Sequence, residues 1–145
     1  MKALVVGLAR SGRAAVGALV AQGSEVVAYD SSTDADPSGL AGDVRLGLWD
    51  DVALEGVDLV VKSPGVPNDS PPVVAARTQG IEVISEIELG ARLLPNPILG
   101  VTGTNGKTTT TALLGAMFDA AGIPAEVAGN IGRPLTSLVG AVAPE

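Results

Sequence analysis

Residues Ala3 to Asp30, ALVVGLARSGRAAVGALVAQGSEVVAYD, decide the fold. Ala3–Gly7 is a compact apolar run that stops at a glycine, as a buried strand does. Ser11–Gln22 reads as a helix, with Ala15, Leu19 and Gln22 along one face, Ala14, Val16, Ala18 and Val20 widening it, and Gly23 marking its stop. Glu25–Asp30 is a second strand that ends in an acid. Between the first strand and the helix, Gly7-Leu-Ala-Arg-Ser-Gly12 follows G-x-G-x-x-G with Ala9 at the middle glycine. Asp30 lies about twenty residues on, where an acid at a strand end can bind a ribose diol. The spacing suits a nucleotide site and leaves NAD open, although Ala9 restricts the approach of a pyrophosphate to the backbone. The alternative is a tight turn, with Asp30 as a cap and Arg10 as a solvated side chain.

Working outward, Ser31–Leu40 is a loop rich in Ser, Asp, Pro and Gly. Asp43–Gly47 reads as a short strand and Trp49–Leu54 as a short helix, which Asp50-Asp51 starts rather than forming a metal pair. Val57–Lys62 is a buried strand, followed by the stiff loop Ser63-Pro64-Gly65-Val66-Pro67. Pro72–Gln79 is a helix, Glu82–Ile84 a strand and Glu86–Leu94 a helix whose Glu86 and Glu88 read as a solvated face. Strands alternating with helices imply right-handed crossovers and a parallel sheet.

Pro95-Asn96-Pro97 disfavours helix on both sides and predicts a hinge, dividing the chain into units 1–94 and 95–145. Beyond it, the pattern predicts a strand at Ile98–Val101, a loop at Gly103–Gly106, a helix at Lys107–Ala121, a strand at Glu126–Ala128 and a loop at Gly129–Pro134. Two strands cannot cover a helix carrying Leu113, Leu114, Met117, Phe118 and Ala121. The expectation is an incomplete second domain and a chain that is part of a longer protein.

Composition narrows the chemistry. Hydrophobic residues make up 46% and aromatics 2%, so the core must be aliphatic, as suits strands buried on both faces. The net charge of −7 argues against a general nucleic-acid partner, and any anionic ligand must be held by local groups. With 0 Cys and 0 His, the chain holds no disulfide, no thiolate or imidazole base and no histidine metal site. No run approaches a membrane span or a signal peptide, so the expected location is cytoplasmic.

Gly100-Val-Thr-Gly-Thr-Asn-Gly-Lys-Thr-Thr109 joins a predicted strand to a predicted helix in the order a phosphate loop needs. The backbone N–H groups of Gly103 to Thr108 would curl around phosphate oxygens, with the helix N-terminus adding positive potential. Gly103 and Gly106 permit backbone conformations that a side chain obstructs. Lys107 would neutralise the β- and γ-phosphates, and Thr108 would offer its hydroxyl to Mg²⁺. The general pattern G-x-x-x-x-G-K-[ST] wants glycine where this chain has Val101; its glycines fall at 100 and 103 instead.

Thr102-Gly-Thr-Asn-Gly-Lys-Thr-Thr109 resembles the ATP loop of the Mur ligases, the ATP-dependent amide-bond ligases of peptidoglycan synthesis, a family that carries this variant. Gly7-Leu8, Ser11-Gly12, Asp30, Ser63-Pro64-Gly65-Val66-Pro67 and Gly129-Asn-Ile-Gly132, in that order, resemble the member that adds D-glutamate to UDP-N-acetylmuramoyl-L-alanine. Asn105 fits members other than the first-step, alanine-adding ligase. The resemblance implies an α/β fold: a Rossmann-like parallel sheet that binds the UDP-substrate, followed by the start of a P-loop ATPase domain. It implies ATP and Mg²⁺ as cofactors, with Gly103, Thr104, Asn105, Gly106, Lys107, Thr108 and Thr109 binding ATP, Lys107 and Thr108 serving catalysis, and Thr108 holding the metal. Arg10 and Ser11 would lie by the uracil, Asp30 and Ser31 by the uracil and ribose, Gly65 by the diphosphate, and Asn130 by the diphosphate and sugar. Asn130 has a second reading as a left-handed turn residue, and Gly65 as part of a plain turn.

The implied reaction passes the γ-phosphoryl group of ATP to the substrate carboxylate, giving an acyl phosphate from which the amine of D-glutamate displaces the phosphate. The resemblance also places further acidic, His and modified-lysine groups, and a C-terminal amino-acid-binding domain, beyond this chain, so the isolated chain is expected to be inactive as a ligase. A sibling ligase adding another amino acid, and a dinucleotide-binding NAD module, are the alternatives; the second leaves Gly103–Thr108 without a role.

Overall fold

The computed structural model describes residues 1–130 and 132–143. Five strands form one wholly parallel sheet in the order β3-β2-β1-β4-β5. They are β1 (Lys2–Val6), β2 (Glu25–Asp30), β3 (Asp43–Leu46), β4 (Leu59–Lys62) and β5 (Glu82–Ser85). Helices α1 (Arg10–Ala21), α2 (Pro71–Thr78) and α3 (Glu86–Leu93) connect or follow them, and α4 (Lys107–Ala120) comes after the proline segment. Short 3-10 turns occupy Asp51–Leu54 and Leu135–Leu138.

The apolar run of β1 is continuous because both of its faces are covered. Ala3 and Val5 point to one side, onto Ala15, Val16 and Leu19 of α1 and Leu89 of α3. Leu4 and Val6 point to the other, among Val27, Tyr29, Val60, Leu54 and Ala76. Each fully buried Val or Leu is worth about 1.5–3 kcal/mol of transfer free energy, and the core is aliphatic, as the composition requires. The helical stripe of α1 is narrower than its sequence suggests: Gly12, Ala15, Val16, Ala18 and Leu19 are buried, whereas Val20 and Gln22 are exposed.

Four further expectations are corrected. Ile98–Val101 forms no strand, and Ile98 and Leu99 are exposed. Glu126–Ala128 contributes only an isolated bridge between Ala128 and Arg133. A strand exists by pairing, and neither segment has a neighbouring strand among the described residues to accept its N–H and C=O groups. Accordingly α4 has no buried residue. The third correction is Glu86, which is not solvated: it is 1% exposed. The Trp49–Leu54 helix contracts to the turn at Asp51–Leu54, with Asp50 Oδ1 capping it by accepting from Val52 N at 3.0 Å.

Tyr29 is the chain's only tyrosine. Its ring stacks edge-on to Trp49 with centroids 5.0 Å apart, and its hydroxyl donates to Gly47 O at 2.8 Å. Burial, and then the charge of Asp30, push the phenol above its ordinary value of 10.0. The fold therefore favours the protonated form. That contribution is whole below the unfolded pKa of about 10 and is lost as pH rises through the folded value. The phenolate absorbance of the folded chain is expected to titrate at higher pH than that of the denatured chain. Stability should decline above about pH 10, and Tyr29→Phe should remove that part of the decline. A folded-state titration at or below the denatured one contradicts this account.

Candidate functional site

The C-terminal ends of β1, β2 and β4 meet where the strand order reverses, between β1 and β4. In open α/β sheets this is the crevice in which ligands sit. Gly7 leaves β1 with φ +88°, its N–H donating to Tyr29 O at 2.8 Å. A Cβ at Gly7 would stand 2.7 Å from Val66 Cγ2, so the turn after β1 packs directly on the turn after β4. Ser63 Oγ, buried, donates to Gly7 O at 2.7 Å and ties the same two turns together. Gly12 is more constrained still, because a Cβ there would lie 1.7 Å from Gly7 O. The first turn of α1 thus rests on the glycine turn, with its N-terminal N–H groups directed to the crevice.

Asp30 organises this edge. Its Oδ2 accepts from Leu8 N at 2.7 Å and its Oδ1 from Ser32 N at 2.9 Å. It acts as the cap allowed for in the sequence, and each carboxylate oxygen keeps a further lone pair for a ligand. Arg10, Ser11, Asp30, Ser31 and Gly65 all fall on the one edge. Ser31 and Gly65 are exposed and Ser11 is half-buried. At Gly65 a Cβ would meet nothing within 4 Å, and its φ is not in the left-handed range. Neither space within the chain nor backbone conformation accounts for glycine there.

Gly132, beyond the proline segment, joins this edge. Arg10 Nη2 donates to Gly132 O at 3.0 Å, and Gly129 N donates to Arg133 O at 2.8 Å. Gly129 and Gly132 have positive φ, whereas no non-glycine described residue does, so Asn130 is not a left-handed turn residue. Asn130 is exposed; Ile131 beside it, and Glu145 at the end of the chain, lie outside the described residues.

The phosphate-loop segment is separate in its contacts. Gly103 has φ +147° and Gly106 φ +79°, the freedom expected of both. Gly106 is the N-cap of α4, and Thr110 N donates to Gly106 O at 2.9 Å. The Lys107 ammonium reaches back over the loop, donating to Gly103 O and, at 3.3 Å, to Thr104 O. Residues 102–110 are exposed and no acid lies in the first turn of α4. The donor set fits a polyphosphate: two glycines in left-handed conformations, free N–H groups at a 14-residue helix and a cation reaching across the turn. Among the described residues no group of three or more Asp or Glu gathers to hold a metal. No described helix is long and apolar enough to cross a membrane.

The sequence reading missed the turn at Leu135–Leu138, which packs on α1 and α3. Thr136 and Leu138 are buried there, and Glu86 Oε1 accepts from Thr136 N and Oγ1, each at 2.7 Å. One signal was present. Gly90 interrupts α3, and a glycine inside a helix marks a close approach; a Cβ there would stand 2.7 Å from Leu135 Cγ.

A doubly wound parallel sheet with a glycine turn at its switch point, continued by a phosphate loop, defines the class: an α/β nucleotide-fold protein joined to a P-loop segment. The chain belongs to the Mur ligase family. The family model described as Mur ligase MurD-like, N-terminal domain, matches residues 1–85, and that of the Mur ligase middle domain matches residues 101–139. A UDP-N-acetylmuramoylalanine–D-glutamate ligase of Geobacter metallireducens is 47% identical over 146 residues, covering 94% of this chain and 32% of that protein. Its counterpart in Pelotomaculum thermopropionicum is 45% identical over 151 residues, covering 99% of this chain and 33% of that protein. The chain therefore spans about a third of the length of these relatives. Among solved structures, a pseudomurein peptide ligase type C from Methanothermus fervidus shares the fold, with a TM-score of 0.60 at 24% identity over 95% of this chain and 30% of that one.

Proposed function

We propose that this chain supplies the UDP-substrate-binding and ATP-binding parts of a ligase that adds D-glutamate to UDP-N-acetylmuramoyl-L-alanine, working in the cytoplasm in cell-wall synthesis. Unit 1–94 takes the uridine end of the substrate at the switch-point edge, and unit 95–145 carries the ATP loop. The observation that carries the reading is the pairing, in one chain, of the Asp30-braced glycine turn with the Thr102–Thr109 loop. The similarity to named D-glutamate ligases supports the choice of member.

Each residue then has a task. Ser11, Asp30 and Ser31 orient the uracil and ribose, Arg10 lies beside them, and Gly65 and Asn130 border the diphosphate and sugar. Gly103 to Thr109 cradle the ATP phosphates, and Lys107 opposes the charge of the γ-phosphoryl group as it moves to the substrate carboxylate. Thr108 helps to hold Mg²⁺, which supplies charge neutralisation at the phosphates when bound. The amine of D-glutamate then attacks the acyl carbon of the acyl phosphate and displaces phosphate.

Titration of the chain with UDP-N-acetylmuramoyl-L-alanine, UDP and NAD tests the reading. Saturable binding of the two uridine ligands without NAD is expected. Binding of NAD alone would replace this reading with a dinucleotide module. Gly65→Ala sharpens the test: stability should change by no more than about 0.5 kcal/mol. The added methyl should nonetheless weaken the UDP ligands about tenfold, by standing where the diphosphate approaches. Unchanged affinity in a normally folded Gly65→Ala chain places the diphosphate elsewhere.

A further inference from the structure

Glu86 opens α3 and is 1% exposed, so its carboxyl is enclosed by protein. Burying a carboxylate is costly unless hydrogen bonds replace its water. Here Oε1 takes two bonds from Thr136, fifty residues away, while Oε2 has no hydrogen-bond partner among the described residues. The N-terminal end of α3 adds favourable potential for the negative charge. Among the described residues, the hydrogen bonds that compensate the burial come from the turn at Leu135–Leu138. That turn is closed by Ser137 Oγ donating to Pro134 O at 2.7 Å, and Leu138 is buried beneath it. Leu135 lies over Gly90, in space that any side chain at position 90 would take.

The turn begins five residues after Asn130. Between them, Arg10 holds Gly132 O from the first turn of α1. C-terminal to Asn130 the chain is thus held twice, by Arg10 at Gly132 and through the seated turn, and Gly129 N, on its N-terminal side, donates to Arg133 O at 2.8 Å. We propose that Glu86 and Gly90 are positioning residues: α3 seats residues 135–138, and that seat sets where Asn130 stands over the crevice between β1 and β4. The ligand side of this proposal rests on the reading given under Proposed function; the seat itself does not. Glu86 and Gly90 are both buried, so their effect is confined to the part of the ligand that Asn130 would meet.

The experiment uses the 145-residue chain and two readouts. Amide hydrogen exchange follows the seat, and affinities for UMP and for UDP-N-acetylmuramoyl-L-alanine follow the ligand. Glu86→Ala and Thr136→Val should each speed exchange across residues 129–138 by about tenfold, leaving β1, β2 and β4 as protected as before. Glu86→Gln, which retains the accepting oxygen, should keep most of the protection. Gly90→Ala favours an isolated helix, yet should loosen the turn because its methyl collides with Leu135. In the loosened variants, affinity for UDP-N-acetylmuramoyl-L-alanine should fall about tenfold while UMP affinity stays unchanged. Exchange across 129–138 that does not move in Glu86→Ala and Thr136→Val overturns the seat. Equal loss of both ligands, with β1 and β4 deprotected, overturns the positioning role in favour of general destabilisation. A wild-type chain that binds neither ligand refutes the reading of the ligand and leaves the exchange data to decide the seat.

Discussion

Lys107→Ala is expected to lower ATP-driven amide formation by at least about a hundredfold, the scale seen when a preorganised charge is removed from a developing anion. The measurement suits a ligase in which residues 1–143 replace the matching segment of the Geobacter relative. Two losses combine. The ammonium that would oppose the γ-phosphoryl charge is gone, and so are its bonds to Gly103 O and Thr104 O, which close the loop on itself. Lys107→Arg should not restore activity, because a planar guanidinium does not replace a compact ammonium inside a tight turn. Binding of UDP-N-acetylmuramoyl-L-alanine should be unchanged, since the sheet edge does not depend on this loop. Turnover within a few-fold of the parent would remove Lys107 from the phosphoryl-transfer machinery.

Gly12→Ala should produce the largest loss of stability. Its Cβ would lie 1.7 Å from Gly7 O, a backbone atom that cannot swing aside. Relief requires α1 to lift off the glycine turn, which breaks the packing of Val16 and Leu19 on β1 and the bond from Ser63 Oγ to Gly7 O. The cost should reach or exceed about 3 kcal/mol, the upper end for overpacking, or a fall in Tm of about 10 °C. Gly17→Ala, in the same helix with nothing within 4 Å of its Cβ, is the control and should be neutral or stabilising. Similar melting of the two variants would show that the close approach at Gly12 is not what fixes α1.

The two glycines show what could be read in advance. The motif picked out Gly7 and Gly12, and the structure supplies the reason for a glycine at each: Val66 beside one, a carbonyl oxygen beside the other. The strands of the first unit were legible because an apolar run buried on both faces leaves little room for another reading; Glu25–Asp30 has the predicted limits. Ile98–Val101 and Glu126–Ala128 were just as apolar or short, yet neither is a strand. Pattern shows which residues tolerate a sheet, while pairing needs a neighbour that the pattern does not identify. The phosphate loop was legible for the opposite reason, since its glycines and Lys107 act through local backbone geometry.

By itself, then, the sequence determined an α/β fold with a parallel sheet, the glycine turn at Gly7–Gly12 and the loop at Thr102–Thr109, whereas the switch point and the brace from Asp30 to Leu8 needed contacts between distant residues. Only the tertiary structure decided the fate of Glu86. In sequence it is an acid at the start of a helix, where solvent is the ordinary environment. Its burial depends on Thr136, fifty residues away, arriving with an N–H and an O–H at 2.7 Å. A contact of that span leaves no periodicity, because what selects it is the cost of enclosing a charge and the single place in the fold where that cost is met.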